Sequence, residues 1–220
     1  MATSAYSVSG ISSTAPPPRI LCFGDSLTAG TSPPHLELFP YATSLQATLG
    51  ANVATVRHKG YPGWTAAELL ESANGEGGLR TLIRRVQDPP LSLVILLVGT
   101  NDLAYYPSET TRIFQSIQSL HELCHGEEGV PHTLAIGIPP SQYQTMNQLD
   151  ATTARQVNQR LEEYCQNSSS TTTFVKFPFD WAHDSDLWSE DGLHFSPRGY
   201  QVLGESLAPI VKTTLQQLGY

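Results

Sequence analysis

Basic residues are scarce in this chain: 12 lysines and arginines stand against 20 aspartates and glutamates, a formal net charge of −8. They gather along no segment, which argues against nucleic acid or an anionic membrane as partner. Cysteine is rarer still. Cys22, Cys124 and Cys165 show no metal-ligand spacing, leave one over in any pairing scheme, and read as buried thiols. No apolar run is long enough to span a bilayer. Residues 1–18 are small and polar and end in Pro16-Pro17-Pro18, without the apolar centre of a signal peptide. They are expected to form a flexible arm on a cytoplasmic protein, in which the sequon Asn167-Ser168-Ser169 would go unused. The hydrolase elbow Gly-x-Ser-x-Gly is missing too, because Thr28 stands where its second glycine belongs.

The chain does have a regular alternation. With 40% apolar residues in 220, it can bury a substantial core, and residues 19–220 are expected to form one domain. Strands are predicted at 20–25, 52–58, 91–98, 133–138 and 173–177. Between them lie helices at 36–49, from Thr65, through Val86, at 108–125 and at 149–166, with a last helix after Ser196-Pro197 that Pro209 kinks or breaks. Such alternation implies an α/β/α sandwich of about five parallel strands, flavodoxin-like in order. Function in this architecture gathers at the carboxyl ends of the strands. Ser26, Gly63 and Asn101 fall just after the first three.

The stretch Gly24-Asp25-Ser26-Leu27 ends the first strand and would project a hydroxyl above the sheet, with Ser26 or Thr28 capping the next element. Gly99-Thr100-Asn101-Asp102 ends the third. Near the carboxyl terminus, Asp191 precedes His194 by three residues, a spacing that lets the carboxylate reach back to the ring. Together and in this order these motifs resemble the GDSL or SGNH hydrolase family over roughly residues 19–215. The resemblance implies Ser26 as nucleophile, His194 as general base and then acid, and Asp191 as its orienter. It further implies an oxyanion hole made by the N–H groups of Ser26 and Gly63 and the amide of Asn101, with no metal or cofactor. Gly60 is the competing donor in the same loop. Trp64, Tyr105 and Tyr106 stand beside these residues and either wall a substrate pocket or merely pack.

That resemblance implies hydrolysis of carboxylic esters, of short to medium acyl chains, rising as pH passes about 6–7 and the base loses its proton. A carbohydrate O-deacetylase uses the same site, and transfer of the acyl group to another alcohol is a third outcome. Two readings lie outside this class. One is a non-catalytic binding module on the same scaffold. The other is a zinc peptidase, because His121-Glu122-Leu123-Cys124-His125 matches His-Glu-x-x-His on a predicted helix. Against zinc, the pair sits in the last helical turn before Gly126, and Glu128 and Pro131 replace the rest of the longer signature. The aromatic and acidic loop 177–188 is expected to pack beneath the Asp191–His194 turn.

Overall fold

The computed structural model describes residues 16–167 and 171–220, so both serines of the sequon and most of the expected arm lie outside it. Five strands, β1 (Arg19–Asp25), β2 (Thr55–Tyr61), β3 (Leu91–Leu97), β4 (Thr133–Ile136) and β5 (Thr172–Val175), pair in parallel in the order β2-β1-β3-β4-β5. This is the flavodoxin-like order that the alternation predicts. Every residue of β3 is buried, as its unbroken apolar run requires of a central strand.

Alternate side chains feed two cores. Ile20, Cys22, Leu93, Ile95 and Leu97 meet α2 (Tyr41–Leu49) and α9 (Pro197–Gln217) on one face. Leu21, Phe23, Val94 and Leu96 meet α3 (Ala66–Glu71), α4 (Leu79–Arg84), α6 (Thr110–His125) and α8 (Gln148–Asn167) on the other. Three short helices at the carboxyl rim complete the chain: α1 (Ser26–Ala29), α5 (Thr100–Tyr105) and α7 (Gln142–Met146). No helix among the described residues is long and apolar enough to cross a membrane.

Several expected boundaries move, each for a physical reason. The second strand starts and ends three residues later than predicted, at Thr55 and Tyr61. Val53 and Ala54 fold back onto Gly50 O instead, and Lys59-Gly60-Tyr61, predicted as loop, extends the strand by pairing with Phe23-Gly24-Asp25 of β1. Helix α2 begins at Tyr41 rather than 36, since Pro40 disfavours helical geometry in the residue before it. Leu36 and Leu38 are consequently exposed. Helix α9 continues through Pro209, where a kink or break is predicted; Thr213 Oγ1 donates to Pro209 O. Pro18, assigned to the arm by composition, is buried, and its carbonyl accepts from Thr55 N at 2.9 Å. Cys22 and Cys124 are buried free thiols, whereas Cys165 at the end of α8 is only partly covered.

Helices α2 and α9 touch at Gly204, where a Cβ would stand 2.4 Å from Tyr41 O and 2.7 Å from Leu45 N. Alanine in a helix is favoured over glycine by about 1 kcal/mol, but overpacking against fixed backbone costs about 1–3 kcal/mol. Gly204→Ala is therefore expected to lower the urea midpoint of unfolding. A raised midpoint would mean that the two helices have room to separate.

Candidate active site

Ser26 opens α1 directly after β1 and is buried, 6% exposed. The cap of this one-turn helix is Asp25, not Ser26 or Thr28 as predicted: its Oδ1 accepts from Leu27 N at 2.9 Å. Ser26 is thus the first helical residue, and its N–H is one of those that a helix start leaves without an internal partner. Gly60 makes room for the turn. It pairs with Gly24 across the sheet, and a Cβ on it would lie 2.2 Å from Ala29 N and 2.4 Å from Asp25 O. The competing oxyanion glycine is therefore walled in by α1.

His194 comes from a loop 168 residues further on, and its Nε2 lies 2.9 Å from Ser26 Oγ. Its Nδ1 lies 2.6 Å from Asp191 Oδ2. The other oxygen, Asp191 Oδ1, accepts from the N–H groups of Leu193 and His194 at 3.0 and 2.9 Å. Burial alone would raise the Asp191 carboxyl, but the ring and the two backbone donors outweigh it and hold the group down at about 2. The carboxylate is ionised at any pH near neutrality. Beneath the turn, Phe195 packs on Phe177, Phe179, Trp188 and Tyr200, the aromatic support expected of loop 177–188.

Residues that the sequence does not single out lock this loop to the one that follows Ser26. Ser189 Oγ donates to Phe195 O at 2.9 Å and lies 3.1 Å from Ser32 Oγ, while Ser189 N donates to His194 O at 2.8 Å. Tyr200 Oη donates to Thr31 O at 2.6 Å. Thr31 and Ser32 directly follow the turn that carries Ser26. A serine in a loop carries no signal of its own, so only coordinates reveal this lock.

The third component is the loop after β2. Gly63 has φ +82°, a conformation that disfavours side chains; it is exposed, and a Cβ there would meet nothing within 4 Å. Asn101 Nδ2 donates to Trp64 O at 2.9 Å, and Asp102 Oδ2 accepts from Ala66 N at 2.9 Å. Two consecutive side chains of α5 thus grip both sides of the capping box that Thr65 and Glu68 form at the start of α3. Trp64 stacks on Tyr61 at 4.5 Å, and Tyr106 lies under the guanidinium of Arg112 at 3.7 Å. Tyr105, by contrast, is 65% exposed.

The candidate zinc pair is otherwise engaged. His121 Nδ1 lies 2.8 Å from Thr133 Oγ1, and His125 contacts Val130 O, Thr133 Oγ1 and Thr172 Oγ1. Burial, then the neighbouring His125, holds the His121 ring down at about 3. Among the described residues no three potential ligands of His, Cys, Asp or Glu type converge.

Next to Ser26 lies an acidic residue with one unused oxygen: Asp25 Oδ2 has no hydrogen-bond partner among the described residues. Burial raises its carboxyl to about 7, against the Leu27 N–H that lowers it, and the nearby Asp102 adds to the rise. A pKa raised on folding gives stability that is full below the unfolded value and lost as pH rises through the folded one. Asp25→Asn keeps the acceptor for Leu27 N–H and removes the titration. The wild type is therefore expected to lose stability relative to Asp25→Asn between pH 5 and pH 8 in urea unfolding. A difference that does not change with pH would contradict this.

Comparison with known proteins gives the fold and the family. The lipase/acylhydrolase from Enterococcus faecalis superposes with a TM-score of 0.64 at 22% identity, covering 89% of this chain and 96% of that one. The aryl esterase from M. smegmatis gives 0.64 at 23% identity, with 90% and 99% covered. Est24, a carbohydrate acetylesterase from Sinorhizobium meliloti, gives 0.64 at 23%, with 89% and 99% covered. Curated protein sequences give no significant match. The profile of the GDSL-like lipase/acylhydrolase family matches residues 22–202, which include Ser26, Gly63, Asn101, Asp191 and His194. The chain belongs to the GDSL-like lipase/acylhydrolase family.

Proposed function

We propose that this serine ester hydrolase works through an acyl-Ser26 intermediate. The observation that carries the reading is the unbroken relay from Asp191 through His194 to Ser26, with contacts of 2.6 and 2.9 Å. Ser26 Oγ attacks the ester carbonyl while His194 Nε2 takes its proton. The carbonyl oxygen becomes an oxyanion, met by the N–H groups of Ser26 and Gly63 and by the second amide hydrogen of Asn101. Collapse breaks the bond to the alcohol, which leaves with the proton that His194 returns. Water then attacks the acyl-serine, gives a proton to His194, and the acid departs as Ser26 recovers its hydrogen. Ionised Asp191 keeps the Nδ1–H tautomer throughout. No step calls for a metal or cofactor.

The substrates are read as short- to medium-chain acyl esters that lean on Trp64, Tyr105 and Tyr106. With Trp64 stacked on Tyr61 and Tyr106 held under Arg112, exposed Tyr105 is the side chain left to adjust to different acyl groups. A carbohydrate O-deacetylase is the second reading. It is favoured by a cavity of about 370 Å³ at the carboxyl ends of β4 and β5, lined by Gln144, Asn158, Lys176, Phe177 and Phe179. Polar amides beside aromatic rings suit a sugar face. The cavity adjoins α7, whose Gln142 N donates to Gly192 O in the catalytic turn. Relative turnover of aryl acetate, aryl hexanoate and acetylated xylose separates the two. Residues 19–220 are read as one hydrolase unit, since both cores share a single sheet.

A fluorophosphonate probe is expected to label Ser26, and Ser26→Ala to lose labelling and at least about a thousandfold in kcat. An adduct mapped to another residue would overturn the assignment. Asp102→Ala, which frees Ala66 N and one side of the Gly63 loop, is expected to lower kcat by about ten- to a hundredfold with KM little changed. Asp102→Asn, still an acceptor, is expected to recover most of it. Equal loss in both variants would assign Asp102 a charge role instead.

A further inference from the structure

The few cations of this chain, scattered in sequence, converge in space. Arg19, Arg57, Lys59 and Arg85 line one cavity of about 590 Å³, and they are four of the 12 Lys and Arg residues in the protein. No carboxylate lines it, and among the described residues none of the four makes an ion pair. Arg19 is anchored by donating Nη1 to Pro89 O at 3.1 Å, and Lys59 Nζ sits 4.7 Å from the ring centre of Tyr61.

Strand alternation explains the convergence. Arg19 and Leu21 of β1 pair with Thr55 and Arg57 of β2, so all four, with Lys59, point to the face that α4 covers. Helix α4 ends at Arg84, and Arg85 with Val86 forms the opposite wall. Charges that merely guard an edge strand would run along its open side. These instead flank a concavity from β1, β2 and the end of α4, over an apolar floor of Leu21, Leu82 and Leu91. The cavity runs down the strands away from the rim: Arg19, at its far end, starts the strand that Ser26 follows, roughly 20 Å away at about 3.3 Å per residue, and Lys59 stands at the end nearer the rim.

We propose that this cavity is a binding site for a small polyphosphate ester, distinct from the ester-hydrolysis site. Arginine forks match phosphate oxygens two at a time, and the floor accepts the organic frame that carries them. The volume falls in the range of small-molecule sites. An extended polyanion fits poorly, because beyond the groove the eight remaining Lys and Arg face 20 acidic residues.

Isothermal titration of the full chain with inorganic tripolyphosphate, in about 20 mM salt where charges are weakly screened, tests the site. One saturable site is expected, weakened at about 200 mM salt. Arg57→Gln/Arg85→Gln is expected to lose about tenfold in affinity for each arginine removed. The same variant should hydrolyse p-nitrophenyl acetate at the wild-type rate, which verifies its fold. Absence of binding, or binding that the double variant retains, would overturn the proposal. So would binding of phosphatidylserine vesicles without binding of tripolyphosphate, since that outcome marks a membrane-facing patch.

Discussion

The contact between Ser26 and His194 spans 168 residues, and its 2.9 Å length depends on how two loops are held together rather than on either loop alone. The Tyr200–Thr31 and Ser189–Ser32 hydrogen bonds supply that hold. The five-ring aromatic group around Phe195 makes the histidine loop stiff enough to benefit. A hydrogen-bonded base is useful in catalysis only if its geometry is fixed before the reaction, because reorganisation at the moment of proton transfer adds to the barrier.

The sheet order decides where this can happen. Going from β1, the chain crosses outward to β2 and then returns past β1 to β3, so the crevice opens between the carboxyl ends of β1 and β3. Ser26 follows one of these strands and Asn101 stands four residues beyond the other. The loop carrying Gly63 is the only piece that must be brought over from the neighbouring strand β2. Asn101 and Asp102 do so with two hydrogen bonds to its backbone. This gives a physical reason for an adjacent Asn-Asp pair: one side chain donates to the loop and the other accepts from it, so the segment carrying Gly63 is held at two points. It also accounts for a buried carboxyl at 102, which burial lifts to about 6 and the Ala66 N–H restrains.

Strands with two buried faces are legible in sequence because nothing polar interrupts them, as in residues 91–97. The edge strand is shifted by the same reading, because Lys59-Gly60-Tyr61 looks like loop and Asn52 to Ala54 looks like strand when only one dimension is visible. Ser26, Asp191 and His194 can be read because each lies in a short motif with its own spacing. Ser32, Ser189 and the strap from Asp102 cannot, since their partners lie 36 to 157 residues away in no recurring pattern. The basic groove shows the same limit. Its cations come from β1, β2 and the residue after α4, and no window of sequence contains them all.

Ester hydrolysis by this route requires that Ser26, His194, Gly63 and Asn101 converge on a single carbonyl group. A crystal structure of the chain inhibited with a phosphonate ester measures this directly. The phosphorus is expected to be bonded to Ser26 Oγ, with the phosphonyl oxygen about 2.7–3.1 Å from Ser26 N, Gly63 N and Asn101 Nδ2. A phosphonyl oxygen turned to solvent, with the Gly63 N–H pointing elsewhere, would contradict it.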